Sequence, residues 1–193
     1  MWTNPYYAKV MAERGETVDN LEIVENFFIP TKSDLDKITE SIKDCKTIVD
    51  IGSGYGYLTD KLAGAMPDKS FLGIDTMYWD KGFVMPEARE NLRYKFTGIE
   101  AMACERFNDD IKHYDCVLCC WMPEGSDWRE LFSKIADKVV ILILSRYFAT
   151  ATPETYVGMK EWGYKLSDSR ASGESVIQIW KKNSTSKVGV ESH

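Results

Sequence analysis

A chain of 193 residues, 44% hydrophobic and 28% charged, has the length of one domain and the composition of a soluble globular protein, and can bury roughly two-thirds of its unfolded surface. Its net charge of −6 and isoelectric point of about 5.1 lower, without abolishing, the case for a free-standing nucleic-acid binder, which needs a basic face to displace counterions. The opening residues lack the basic-then-apolar order of a secretion signal, no run approaches the ~20 apolar residues that span a bilayer, and the cysteines, an odd five with three crowded at Cys116, Cys119 and Cys120, argue against a disulfide framework; a cytoplasmic protein is expected.

In chain order, residues 1–32 read as an appendage. Asn4 to Tyr7 is turn-like and aromatic, and residues 18–28 form a short amphipathic helix carrying Leu21, Val24, Phe27 and Phe28 near one face, stopped by Pro30. The main unit spans 33–182. Ser33, with Asp36 three residues on, opens a helix striped by Leu35, Ile38 and Ile42. The chain then alternates. Strands are expected at 47–51, 71–74, 95–98 (weak), 116–120 and 139–144. Helices are expected at 57–65, 87–94, 128–136 and 153–162, the last with Pro153 in its first turn. The run 139–144 is apolar throughout, so it is central and covered on both faces. Residues 164–167 and 176–180, with a turn around 169–173, read as an antiparallel hairpin, and 183–193 as a frayed polar tail. This pattern predicts an α/β fold: a doubly wound, mostly parallel seven-stranded sheet with a C-terminal antiparallel hairpin and helices on both faces.

The most informative segment is Asp50-Ile51-Gly52-Ser53-Gly54-Tyr55-Gly56, where a buried strand runs into a glycine-rich turn and then a helix. Glycines suit a turn against which a ligand lies, because a Cβ would block the approach. A dinucleotide site wants G-x-G-x-x-G to seat a pyrophosphate on the helix N-terminus. Here the spacing is G-x-G-x-G, and Asp50 ahead of it would repel a pyrophosphate but suits a ligand carrying an ammonium and a sulfonium. The segment resembles motif I of class I S-adenosylmethionine-dependent methyltransferases, matching at Asp50, Gly52, Gly54 and Gly56. Asp75, ending the second strand about twenty residues later, fits an acid that accepts hydrogen bonds from ribose hydroxyls in either family.

The resemblance implies a reaction site near the end of the fourth strand, at Cys120-Trp121-Met122-Pro123-Glu124. This stretch distantly resembles the Asp/Asn-Pro-Pro-aromatic loop of nitrogen methyltransferases. It lacks the Asp or Asn and places Glu124 where the aromatic would stand, so that substrate class is not carried over. Methyl transfer is largely a matter of positioning, and a base is needed only when the acceptor is protonated. Glu124 is the nearest candidate base, with Trp121 beside it. The resemblance further implies cofactor-side roles for Glu100, in the loop after the third strand, and for Cys119. Acceptor-side roles fall to Trp121 and Met122 and, from a lid built by the N-terminal segment, to Tyr6 and Tyr7. Asp115, opening the fourth strand, is structural. Cys116-x-x-Cys119 has the spacing of half a zinc site, but strand side chains three apart point to opposite faces and no second pair follows, so no metal is expected.

The expected function is S-adenosylmethionine-dependent methylation of a small molecule or protein side chain. Two alternatives stay open: a nucleic-acid methyltransferase working with a partner, and a non-catalytic methyltransferase-like binding subunit.

Overall fold

The computed structural model describes residues 28–54, 56–75, 99–101 and 112–183. Helix α1 (Lys32–Ser41) is followed by β1 (Thr47–Ile51), α2 (Tyr57–Ala65), β2 (Ser70–Asp75), β3 (Ile99–Ala101) and β4 (Tyr114–Cys120). Then come α3 (Arg129–Ile135), β5 (Ala136–Ser145), α4 (Pro153–Val157), a 3-10 turn (Lys160–Trp162), β6 (Tyr164–Ser172) and β7 (Ser175–Lys182). The sheet runs β3-β2-β1-β4-β5-β7-β6. Its pairs are parallel up to β5, and β7 is antiparallel to both β5 and β6. This is the expected α/β sheet flanked by helices.

Side-chain alternation along the strands divides the core in two. Val49, Ile51, Val117, Cys119, Val140, Leu142 and Leu144 pack on one face with Phe132 and Ile135 of α3. Ile48, Cys116, Leu118, Ile141 and Ile143 pack on the other with Ile38 and Ile42 of α1 and Leu58 and Leu62 of α2. Strand β5 is buried on both faces, as its unbroken apolar run requires. Cys116 and Cys119 fall in opposite clusters. Phe28 packs into the α1–α2 cluster, whereas Tyr6, Tyr7 and Phe27 lie outside the described residues.

Several boundaries differ from expectation. The cap of α1 is Thr31, not Ser33. Its hydroxyl accepts from Asp34 N at 3.1 Å while Asp34 Oδ2 accepts from Thr31 N at 2.8 Å, a reciprocal box that starts the helix earlier. Asp34 also accepts from Arg170 Nη2 at 2.8 Å and Ser172 Oγ at 2.6 Å, tying α1 to β6. The expected helix at 153–162 is broken at Gly158, whose φ is +83° and where a Cβ would fall 1.8 Å from the Trp180 ring; both the positive φ and the close indole require glycine there. The hairpin strands are longer than expected and turn at Gly173 (φ +57°). The polar residues 169–172, expected in the turn, instead continue the solvent-facing outer strand. A strand lies at Ile99–Ala101, beside Gly73–Asp75, and the expected strand at 95–98 lies outside the described residues.

Candidate functional site

The glycine turn stands where β1 and β2 end side by side. Gly52 N and Ser53 N both donate to Ile74 O, at 2.7 and 3.0 Å, and Gly56 N donates to Ser53 O at 2.9 Å. Gly52, Gly54 and Gly56 have φ of +75°, +56° and +76°, a left-handed winding that only glycine takes without cost. At Gly52 a Cβ would also press to 3.3 Å from the Trp128 ring, so that indole, at the start of α3, backs the turn. In the sequence Trp128 reads only as the start of a helix.

Asp50 points to the α2 side of the sheet and is 1% exposed. Thr59 Oγ1 of α2 donates to its Oδ2 at 2.5 Å. Its Oδ1 is buried without a partner among the described residues, and so is the Ser53 hydroxyl. Burial pushes the Asp50 carboxyl up to about 7; Thr59 opposes the shift and the Asp75 charge adds to it. Asp75 is itself buried, and its Oδ2 accepts from Gly54 N at 2.8 Å, so one of its oxygens shapes the turn. Two partnerless buried polar atoms flanking a glycine turn mark a place where a ligand would complete the hydrogen bonding.

At the end of β4 the chain turns through Trp121, at φ +56°. Trp121 N donates to Ile143 O at 2.7 Å, and its indole Nε1 donates to Ser175 Oγ at 2.9 Å. Glu124 is exposed in the following turn. Met122 is 1% exposed and Cys119 0%, and both pack in the core cluster with Phe132 and Ile135 of α3. Glu100 sits in the middle of β3, its backbone opposite Ile74. Asp115 lies at the opposite end of β4, where it accepts from Lys46 N at 2.6 Å and pairs with Lys138 at 2.9 Å, the structural role expected.

The loop after β5 was missed from the sequence. Ala151 N donates to Met122 O and Pro123 O at 3.0 and 3.1 Å, and Gly125 N donates to Ala151 O at 2.9 Å, lacing this loop to the one after β4. It presents Tyr147 and Phe148, 71% and 66% exposed. Phe148 stands at φ +58° with its ring 4.5 Å from that of Tyr156. The available signal was a pair of aromatics directly after the most apolar strand. Behind the β4 loop, Arg129 forks onto Asp127 at 2.7 and 2.9 Å, donates to Gly158 O at 3.1 Å and lies 4.6 Å from the Trp162 ring centre, fixing where the loop ends.

No helix among the described residues is long and apolar enough to cross a membrane. No family model matches the sequence, and no curated protein matches it. Solved structures do. A SAM-dependent methyltransferase from Aquifex aeolicus superposes with a TM-score of 0.55 at 11% identity, over 83% of this chain and 95% of its own. A ribosomal-protein methylase from Lactobacillus delbrueckii subsp. bulgaricus gives 0.54 at 16% identity, over 81% of each chain. Magnesium protoporphyrin IX methyltransferase from Synechocystis PCC 6803, solved with bound SAM, gives 0.52 at 18% identity, over 78% of each chain. At these identities the likeness is one of architecture: the chain has the fold of the class I SAM-dependent methyltransferases.

Proposed function

We propose that the protein is an S-adenosylmethionine-dependent methyltransferase acting on a small molecule or a protein side chain. The observation that carries the reading is the buried Asp50 oxygen left without a partner at the glycine turn. An ammonium satisfies such an atom and a pyrophosphate does not. Gly52 and Gly54 would bring backbone against the cofactor, and Ser53 would offer a hydroxyl to its carboxylate end. Asp75, at the end of β2, would hold the ribose. When bound, S-adenosylmethionine supplies a methyl group on a positively charged sulfur. This chain would supply orientation: the laced loops after β4 and β5 present Trp121, Glu124, Tyr147 and Phe148 at the ends of the strands, where ligands of open α/β sheets sit. Glu124, exposed on that rim, would take a proton only from an acceptor that carries one.

A second reading has its own support. The exposed Tyr147–Phe148 pair also suits a non-catalytic subunit whose partner covers those rings. Calorimetric titration with S-adenosylmethionine, S-adenosylhomocysteine and NAD separates the readings. Micromolar binding of the first two and none of NAD is expected. Failure of both sulfur nucleosides to bind favours the subunit, and binding of NAD alone overturns the assignment of the turn.

A further inference from the structure

The surroundings of Asp50 hold an anion poorly. From α2 it receives one hydroxyl, that of Thr59. From β2 it faces a second carboxylate, Asp75. From β4 it is felt by the thiols of Cys116 and Cys120, which burial holds well above their ordinary pKa and therefore neutral. The turn adds the Ser53 hydroxyl, itself without a partner. Among the described residues no cation contributes to its titration. A carboxylate enclosed this way is more stable as the acid until a positive group replaces the proton.

We propose that Asp50 is the charge-selecting element of the site: it is held as the neutral acid in the ligand-free protein and gives up its proton to solvent when the ammonium of the cofactor takes the proton's place at Oδ1. The inference rests on the functional reading above and goes beyond it, because it makes ligand affinity depend on pH and on the ligand's own charge. Binding of a cationic ligand near neutral pH is then a proton-for-ammonium exchange. A nucleoside that lacks the amino-acid end binds without that exchange.

The test is calorimetry of S-adenosylmethionine binding in phosphate and in imidazole, which both buffer across this range and differ in ionisation enthalpy, at pH 6, 7 and 8. The difference in apparent enthalpy between buffers counts protons. With the carboxyl at about 7, net release of about one proton is expected at pH 6 and somewhat under half at pH 7, turning to net uptake at pH 8, where part of the ligand's amine is neutral and must gain a proton to bind as the ammonium. Methylthioadenosine should release none at any of these values. Asp50→Asn should abolish the release and weaken S-adenosylmethionine at least tenfold at pH 8. Carboxyl-carbon NMR of the unliganded wild-type protein, which needs no variant to fold, should show Asp50 titrating near neutrality. Binding of S-adenosylmethionine with buffer-independent enthalpy, or an Asp50 carboxyl titrating below pH 5, overturns this proposal and leaves the functional reading standing. No binding at any pH overturns the functional reading, and the proposal with it.

Discussion

The two loop systems at the ends of the strands solve the same backbone problem with opposite residues. At the β1–α2 turn, three left-handed positions are filled by Gly52, Gly54 and Gly56, and the winding costs nothing in side-chain clashes. In the β4 and β5 loops the left-handed positions are filled by Trp121, Phe148 and Ala151, each at a cost of roughly 1–2 kcal/mol. The first turn is relaxed and leaves polar atoms unsatisfied; the second pair is strained and leaves aromatic rings exposed. Strain that persists in a folded protein tends to sit where a side chain must be presented in one place. The contrast therefore separates a cradle for a cofactor from a platform for whatever the protein meets.

The largest effect that would break this contrast is expected from Gly54→Val. A β-branched residue at φ +56° cannot hold the turn, and the Gly54 N to Asp75 bond is lost with it. S-adenosylmethionine affinity should fall by about 10³-fold or more, roughly 4 kcal/mol. Calorimetry with retained binding would mean that the turn touches no ligand.

Asp50→Asn acts on stability in a pH-dependent way. The folded carboxyl sits near 7 against an ordinary 3.8, so between those values the folded state holds the proton and the unfolded state does not. Wild-type stability therefore falls as pH rises through this window, by up to about 4 kcal/mol. The Asn variant, which has no charge to bury, should gain on wild type at pH 8.5 and lose that advantage at pH 4. Denaturant unfolding at both values checks the sign.

Asp75→Ala removes the acceptor for Gly54 N and the expected ribose contact together. A loss of about 2–3 kcal/mol in cofactor affinity is expected. An unchanged titration would reduce Asp75 to a brace for the turn. The smallest effect sharpens the other side of the comparison. Phe148→Gly relieves the left-handed strain of an exposed ring and should raise Tm by about 1–3 °C, while leaving cofactor affinity unchanged and lowering turnover of the acceptor. A thermal scan showing a lower Tm would assign the ring to the fold instead.

The legible part of the molecule was the part governed by local rules. The strand at 47–51 and the helix at 57–65 match the structure because glycine spacing and apolar periodicity act within a few residues. What escaped depends on contacts across the chain. At Gly158, where the helix ends at a positive φ, only glycine fits because Trp180, from a distant strand, fills the space beside it. The face that Cys119 takes is set by its register with β5, opposite Leu142, and that face is the one under α3, a contact that no local pattern announces. Phe148 escaped because a left-handed aromatic has no sequence signature; propensity argues against it.

The strand order has a consequence for how the chain is made. β5 lies between β4 and β7, so residues 175–182 close the flank of a strand completed at residue 145. As the chain leaves the ribosome, β5 has its β4 partner but presents an open apolar edge until residues 175–182 emerge. The Arg170–Asp34 bond, linking positions 136 apart, likewise waits for a segment made long after α1. Any truncation that removes β7 leaves β5 as an edge strand apt to pair with another chain.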